Sequence, residues 1–289
     1  MRRIPVVVIA LAAAIAMSGC TEVLTPLTAT TALRTTSTSS VSPSTFPPVV
    51  ECGGSGEFEE GSGIAEVGST SSDASDLGEI SWTQTDKCET FTFEFETAEG
   101  APATTVPTIS VGHLPSLQVI RISMDIDASA ITDQLVETGL VDRLYVVRGL
   151  DGEMFVDLHL VAPAAARVGV RSSPAQLTVE LRPGFLQFSG QSAVHDQVVV
   201  VAPSPASTID AATTFTGYTR TSEGRVTVIA TREDQVITET SAMAADVTET
   251  WGEFSLDLIL PSGEMSVFLG ETNPDDGSLE GVTLDLTVR

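Results

Sequence analysis

Apolar and polar residues alternate along most of the chain, in short stretches separated by turn residues. In the stretch "CETFTFEFE", Phe91, Phe93 and Phe95 alternate with Thr and Glu. A period of two is typical of a β-strand that buries one face. The same pattern predicts strands in "SLQVIRISMDI", "RLYVVRG", "MFVDLHLV", "ARVGVR" and "QLTVELRPG", and Gly149 and Gly152 predict a hairpin turn between two of them.

One segment departs from this alternation. Ile131 and Leu135 are four residues apart, Asp127 can cap the first turn, and Gly139 can end the last one. This spacing predicts one short helix. The stretch "MDID" at 124–127 is therefore interpreted as a strand end followed by a helix cap.

A second group of strands follows a junction at residues 189–194. Seven short alternating stretches with regular turn signals predict an immunoglobulin-like sandwich. They are "QVVVVAPSP", "TTFTGYTR", "RVTVIAT", "QVITETS", "GEFSLDLIL", "EMSVFLGE" and "GVTLDLTVR". The predicted fold class is mainly β, with two sandwich-like domains at 77–188 and 195–289 and the one short helix in the first.

The first residues follow a different pattern. Arg2 and Arg3 precede an apolar run over 4–17, which is shorter than the roughly 20 residues needed to span a bilayer. A short basic region, an apolar run and small residues before the cut are typical of a secretory signal peptide.

The apolar run closes on Met17-Ser18-Gly19-Cys20. This ending resembles the signal of bacterial lipoproteins, although Leu is commoner there than Met. The resemblance implies that residues 1–19 are removed and that Cys20 carries a diacylglyceryl group, whose two chains suffice for stable anchoring. The protein is then expected on the extracytoplasmic face of the cell membrane. The alternative is an ordinary signal peptide that is cut elsewhere, with Cys20 incidental.

Residues 20–76 are predicted to form a disordered tether. Nine Thr, five Ser and four Pro fall in 21–50, and 53–76 is rich in Gly, Ser and acidic residues. Such compositions bury too little apolar surface to offset the entropy of ordering. The acidic stretch 57–60 is interpreted as solvated linker, and order is expected to begin near Leu77.

The charge balance excludes some partners. The chain has 39 acidic and 14 basic residues and a formal net charge of −25. Nucleic-acid binding depends on Lys and Arg that neutralise phosphates, so no nucleic-acid partner is expected. Anionic lipid head groups are repelled as well, so membrane attachment is expected to depend on the lipid at Cys20.

Two cysteines remain once Cys20 is assigned to lipid. Disulfides persist in exported proteins, so Cys52 and Cys88 are expected to pair. Such a loop stabilises the fold by about 3–4 kcal/mol in the chain-entropy estimate. Two free thiols or a metal pair are less favoured, because no histidine lies near either cysteine in sequence.

Two parts of the chain resemble known families. Residues from about 197 to 289 resemble the immunoglobulin-like domain of bacterial spore germination proteins, on "VVVVAPSP", "TTFTGYTRTSEGRVTVIA", "WGEFSLDLILP" and "VFLGETNPDDGSLEGVTLDLTVR". Residues from about 77 to 184 resemble the AMIN-like domain of actinobacterial lipoproteins, on "CETFTFEFE", "VDRLYVVRGLDGEMFVDLHLV" and "RVGVRSSPAQLTVELRPG". The first resemblance implies protein partners and does not imply sporulation. The second implies cell-wall binding, but its matching stretches are sheet positions and carry over no binding residue.

Candidate catalytic residues are sparse. His159 is predicted on the polar side of a strand, and His113 and His195 lie in loop-like stretches without a carboxylate and a nucleophile at a recognisable spacing. The sequence contains no G-x-S-x-G elbow, P-loop or H-E-x-x-H helix. A triad assembled from distant residues would escape such a search, because triads are defined by geometry.

The stretch "NPDDGSLEG" gathers Asn273, Asp275, Asp276 and Glu280. Oxygen ligands of this kind suit calcium, but their spacing departs from the EF-hand loop. A hairpin turn rich in Asn, Pro, Asp and Gly is the favoured interpretation. No cofactor, metal site or catalytic residue is predicted.

Together these observations predict a lipid-anchored, non-catalytic protein of the cell envelope. The leading hypothesis is an adaptor that binds peptidoglycan or another envelope component. The alternatives are a structural assembly protein that acts through protein–protein contacts, and a cell-wall hydrolase whose site is assembled from distant residues.

Overall fold

The computed structural model of the protein describes residues 52–114, 117–128, 133–186, 190–221, 223–246, 250–273 and 277–289. All of them belong to one compact unit. They form nineteen β-strands, and no helix occurs among them. Cys20, the apolar run before it and residues 21–50 lie outside the described residues, so their predicted roles are not tested by this structure.

Ten strands form the N-terminal lobe, which we define as the described residues up to 186. They are β1 Ala65–Val67, β2 Asp76–Gln84, β3 Glu89–Glu96, β4 Ile109–His113, β5 Val119–Met124, β6 Asp133–Leu135, β7 Val141–Arg148, β8 Met154–Leu160, β9 Ala164–Arg171 and β10 Gln176–Pro183. One sheet of this lobe has the order β2-β3-β10-β9, and the other runs β1-β4-β5-β8-β7 with β6 added on β7.

Nine strands form the C-terminal lobe, which comprises the described residues from 190 onward. They are β11 Ala193–His195, β12 Val198–Ala202, β13 Thr208–Ile209, β14 Ala212–Thr219, β15 Arg225–Arg232, β16 Gln235–Met243, β17 Trp251–Ile259, β18 Gly263–Thr272 and β19 Leu279–Val288. A five-stranded sheet, β13-β19-β18-β15-β16, faces the row β17-β14-β12-β11. All seven strands predicted for this part of the chain are present.

The two lobes share one sheet. β17 pairs in parallel with β7, through Trp251 opposite Val147 and Gly252 opposite Arg148. This pairing joins the two rows of strands into a single ten-stranded sheet. The sequence predicted two separate sandwiches and gave no sign of the shared sheet.

Each lobe has its own core. The alternation of Phe91, Phe93 and Phe95 is confirmed, because all three rings are at most 1 % exposed and pack in the N-terminal lobe. Phe215 and Phe254 are fully buried in the core of the other lobe. A buried side chain of this size contributes about 1.5–3 kcal/mol, so these positions fix which face of each strand points inward.

The predicted short helix is wrong. Residues 133–135 form β6, which pairs antiparallel with β7 and places Leu135 opposite Arg143. The Leu135 side chain is 50 % exposed and so does not anchor a buried helix face. Ile131 lies outside the described residues. The backbone hydrogen bonds of a neighbouring strand have replaced those of the expected helical turn.

The structure does not show the disorder that was predicted over 53–76. β1 pairs with β4. The guanidinium groups of Arg167 and Arg182 both contact the Phe58 ring, with their central carbons 4.5 Å and 4.4 Å from its centroid. Phe58 is therefore packed on the lobe, whereas Glu57 and Glu59 on either side of it are exposed. Cation–π contacts of this kind contribute about 0.5–2 kcal/mol each.

Acidic side chains of the same segment bind backbone N–H groups. The Asp73 carboxylate accepts hydrogen bonds from the N–H groups of Thr104 and Thr105, and these bonds lower its pKa. Glu60 accepts hydrogen bonds from the N–H groups of Phe185 and Leu186. The carboxylates of Glu60 and Asp73, in a segment that was predicted to be disordered, therefore attach this segment to two loops.

The Cys52–Cys88 disulfide is confirmed. It fixes the start of the segment beside the first residue of β3. Gly54 then donates its N–H to the Glu180 carboxylate at 3.0 Å, and Glu180 forms an ion pair with Arg167. The disulfide and these polar contacts hold the segment at one end of the four-stranded sheet.

Candidate binding groove and the junction between the lobes

A groove of about 700 Å3 with a mixed polar and apolar lining lies over the outer face of β1, β4 and β5. We call it the serine groove. Its polar side chains come from all three strands and from the loop before β1, and they are Ser62, Glu66, Ser110, Arg121 and Ser123.

Strand pairing places these side chains in a row. Glu66 lies opposite Ser110, and Ser110 lies opposite Ser123. Paired residues of neighbouring strands point to the same face, and alternate residues such as Val111 and Ile122 point into the core. The row is therefore the solvent face of an ordinary two-faced sheet.

One wall of the groove depends on Gly112. His113 donates its N–H to the Gly61 carbonyl at 2.8 Å, which brings the loop 61–63 across β4. A Cβ atom on Gly112 would lie 2.1 Å from the Ser62 carbonyl oxygen. Only glycine allows this close crossing of two backbones.

Arg121 closes the other end of the row. Its Nε and Nη2 atoms each donate a hydrogen bond of 2.8 Å to the Asp157 carboxylate, which is fully buried. Its guanidinium also lies 3.6 Å above the Phe155 ring. Burial disfavours the charged guanidinium, but the charge and hydrogen bonds of Asp157 outweigh this effect and raise the pKa of Arg121. The guanidinium therefore stays charged.

A smaller cleft of about 170 Å3 continues from Arg121 between the lobes. It is lined by Leu114, Leu117, Arg121, Val201, Ala202, Thr216, Gly217, Tyr218 and Glu253. Arg121 thus borders both the serine groove and the space between the lobes.

Aromatic rings from both lobes meet behind this cleft. We define the junction cluster as Leu117, Val119, Tyr145, Val147, Phe155, Val199, Val201, Tyr218 and Trp251. The Tyr145 ring lies 5.1 Å from that of Tyr218 and 5.0 Å from that of Trp251, at tilted and edge-on angles. Such pairs contribute about 0.5–1.5 kcal/mol beyond the burial of their area, so the cluster fastens the lobes together.

Three ionisable rings at the junction are held in their neutral forms. Burial lowers the pKa of His159 to about 4 and raises that of Tyr145 to about 12. The pKa of Tyr218 is raised well above its ordinary value, again chiefly by burial. Near neutral pH the three rings are uncharged and act as packing and hydrogen-bonding groups.

All three histidines lie on β-strands of the described structure. His159 lies on β8 and its Nε2 atom is hydrogen-bonded to the Tyr218 hydroxyl, as expected for the hydrogen-bonded face of a strand. His113 is the last residue of β4 rather than part of a loop, and its buried Nε2 atom lies 3.1 Å from the Ala164 carbonyl. His195 is an exposed residue of β11.

The predicted hairpin in "NPDDGSLEG" is confirmed by the pairing of β18 with β19. Asn273 donates a 2.7 Å hydrogen bond from Nδ2 to the Glu280 carboxylate. Asp275 and Asp276 lie outside the described residues. Among the residues that are described, no group of three or more His, Cys, Asp or Glu side chains is placed to hold a metal ion.

Two sequence comparisons and one structural comparison bear on these lobes. Residues 197–278 match the immunoglobulin-like domain of bacterial spore germination. The match begins at the residue before β12 and ends within the β18–β19 hairpin, so this immunoglobulin-like domain accounts for most of the C-terminal lobe. No curated protein and no solved structure matches the chain. Within the described residues, no helix has the length and apolarity to cross a membrane.

The groove was missed in the sequence, although a weak signal for one of its strands exists. Ile109, Val111 and His113 alternate with Ser110 and Gly112, which is the period of a strand. The alternation extends over only five residues, and no strand is predicted there from the sequence. Nothing local links Glu66 to Ser110, because their pairing joins separate parts of the chain.

Proposed function

We propose that the protein is a non-catalytic adaptor of the cell envelope, anchored by lipid on Cys20, that binds peptidoglycan or another envelope component. The observation that carries this proposal is the open serine groove on a sheet shared by both lobes. A binding surface on a rigid sheet loses little conformational entropy when a ligand binds, and this small cost favours affinity.

Anchoring and location are supported by the sequence. Arg2 and Arg3, the apolar run and the small residues before Cys20 match a lipoprotein signal. The AMIN-like resemblance of residues 77–184 supports a role at the cell wall. The net charge of −25 supports neutral or cationic ligands over anionic wall polymers.

The contacts of the histidines support a binding role over a hydrolase. His113 is engaged with a backbone carbonyl, and His159 with a tyrosine hydroxyl. A hydrolase with a serine or cysteine nucleophile would need a histidine aligned with that nucleophile and with a group that orients the histidine. The low pKa of His159 also makes it a poor general base, because efficient bases titrate near the working pH.

A second candidate function has an observation of its own. β16 lies at the edge of the five-stranded sheet, and three of its apolar side chains are exposed: Val236 by 60 %, Ile237 by 41 % and Met243 by 57 %. Exposed edge strands can pair with a strand of another protein. This edge supports the alternative of an assembly protein that acts through protein–protein contacts.

A retention experiment tests the proposal. The full chain, purified in detergent, is passed over purified cell-wall sacculi and, separately, over an immobilised envelope-protein extract, each with and without calcium. Retention on bare sacculi supports the adaptor hypothesis. Reproducible capture of one envelope protein supports the hypothesis of an assembly protein. If neither occurs under either calcium condition, both readings fail. A soluble fragment for the same test should begin at residue 52, because residues 52–76 are part of the fold.

A further inference from the structure

Three polar side chains of the serine groove are not used by the fold. In the part of the chain that the structure describes, the Glu66 carboxylate and the hydroxyls of Ser110 and Ser123 make no hydrogen bond or ion pair with other residues. Glu66 and Ser110 are exposed, and Ser123 is half-buried. The groove therefore offers a row of hydrogen-bonding groups that is available to a ligand.

The order of groups along the row is asymmetric. It begins with a carboxylate on the edge strand β1, continues with two hydroxyls, and ends at the Arg121 guanidinium above the Phe155 ring. Phe155 lies opposite Ser123, so the row crosses four adjacent strands. Three spacings of about 4.8 Å give a length of roughly 14 Å, which matches four residues of extended peptide.

The charge at each end defines what the row can bind. Among the described residues, the Glu66 carboxylate forms no ion pair with a Lys or Arg side chain, so it attracts an amine. At the other end, Asp157 already balances Arg121 and takes two of the five N–H donors of the guanidinium. Glu253 adds a further negative charge near Arg121. The remaining donors suit a neutral carbonyl and not a carboxylate.

The residues that line the groove favour a peptide over a sugar as its ligand. Sugar-binding grooves usually present an open aromatic face on which a pyranose ring can stack. The residues that line the serine groove include no aromatic side chain apart from His113, which is buried, and the face of the adjacent Phe155 is covered by Arg121. Hydroxyls and guanidinium N–H groups at regular spacing suit the amide groups of a peptide.

We propose that the serine groove binds a short amine-bearing peptide whose chain is otherwise uncharged. Its amine lies against Glu66, its amide groups lie along Ser110 and Ser123, and its last carbonyl accepts a hydrogen bond from the guanidinium. This assignment rests on the proposed function, because it names the ligand class of an envelope-binding protein.

The test uses the full chain in detergent and isothermal titration calorimetry. The first probe is tetra-alanine with a free amino terminus and an amidated carboxyl terminus. Its N-acetylated form removes the amine, and its free-acid form adds a carboxylate. A tetramer of N-acetylglucosamine is the sugar probe. The variant is Glu66→Gln, and the matched control is Glu79→Gln on β2, which is exposed on the other sheet of the lobe.

The unmodified protein is expected to bind the amidated tetrapeptide and to bind the acetylated and free-acid forms about threefold or more weakly. Glu66→Gln should lose the preference for the free amine, and Glu79→Gln should keep it. Three results overturn the assignment: no saturable binding of the amidated peptide, equal binding by the protein and Glu66→Gln, or tighter binding of the sugar tetramer. If the same preparation is nevertheless retained on sacculi, the groove assignment fails and the proposed function stands.

Discussion

The Nε2 atom of His159 in one lobe is hydrogen-bonded to the hydroxyl of Tyr218 in the other. The bond lies at the edge of the junction cluster, where the Tyr145 and Tyr218 rings meet. Both partners are kept neutral by burial, so the bond is present throughout the neutral pH range. It ties the lobes together at a point where sheet pairing involves only two residues of each strand.

Tyr218→Phe is expected to destabilise the protein by about 1–2 kcal/mol, because it removes this bond and leaves the partly buried His159 without its partner. Urea unfolding of the two proteins measures the difference. The matched control is Tyr145→Phe, since the Tyr145 hydroxyl takes no part in the bond between His159 and Tyr218. Equal losses from both substitutions would contradict a contribution from the His159–Tyr218 bond.

Acid should weaken the fold through His159. Its pKa is about 4 in the folded protein and about 6.5 when unfolded, so the unfolded chain binds more protons between these values. The stability that neutral His159 provides is fully present above pH 6.5 and declines as the pH falls toward 4, by up to about 3 kcal/mol. His159→Gln should flatten this part of the profile when urea midpoints are measured at pH 7, 5.5 and 4.5. A variant as acid-sensitive as the unmodified protein would rule out this origin.

Removing the disulfide should also cost stability. Cys52→Ser with Cys88→Ser is expected to lower the free energy of unfolding by about 3–4 kcal/mol, because the unfolded chain regains the freedom of the closed loop. Urea unfolding without reductant provides the measurement. With a reductant present, the unmodified protein and the double variant should unfold alike, and a persistent difference would mean that the substitutions act through packing.

Gly112→Ala should disturb the serine groove. The new Cβ atom cannot lie 2.1 Å from the Ser62 carbonyl, so the loop 61–63 has to move, at a cost of about 1–3 kcal/mol. Hydrogen exchange of the His113 amide, which donates to Gly61, should speed up. Gly169→Ala on β9 is the control, because nothing lies within 4 Å of its added Cβ atom. Unchanged exchange in Gly112→Ala would show that the crossing is looser than the structure indicates.

Cys20→Ala should release the protein from membranes, because the cysteine is the proposed site of lipid attachment. Membrane fractionation and the mass of the mature N-terminus check this expectation. Ser18→Ala keeps a small residue before the cut and should stay lipidated. Unchanged fractionation of Cys20→Ala, with no lipid mass on the unmodified chain, would exclude the anchor.

The sequence predicted features that depend on local repetition. Phe91, Phe93 and Phe95 repeat a period of two over enough residues to exclude other structures, and the same holds for Leu284 and Leu286. The helix prediction rested on the spacing of Ile131 and Leu135 and on end signals at Asp127 and Gly139. Hydrogen bonds between β6 and β7 outweighed these local preferences.

Features that depend on distant contacts could not be predicted. Phe58 is ordered by Arg167 and Arg182, which follow it by more than a hundred residues. Glu66 and Ser110 become neighbours only through the pairing of β1 with β4. The groove is thus a product of topology, and no local pattern in "IAEVGS" or "TISVGH" encodes it.

The pairing of β7 with β17 has a consequence for the order in which the protein is built. Val147 and Trp251 are roughly 100 residues apart, and synthesis at about 5–20 residues per second separates their appearance by about 5–20 s. During that interval β6 covers only residues 143–145 of the same edge of β7. The nascent chain therefore carries an unpaired strand end until Trp251 is made, and this is the stage at which it is most exposed to pairing with another chain.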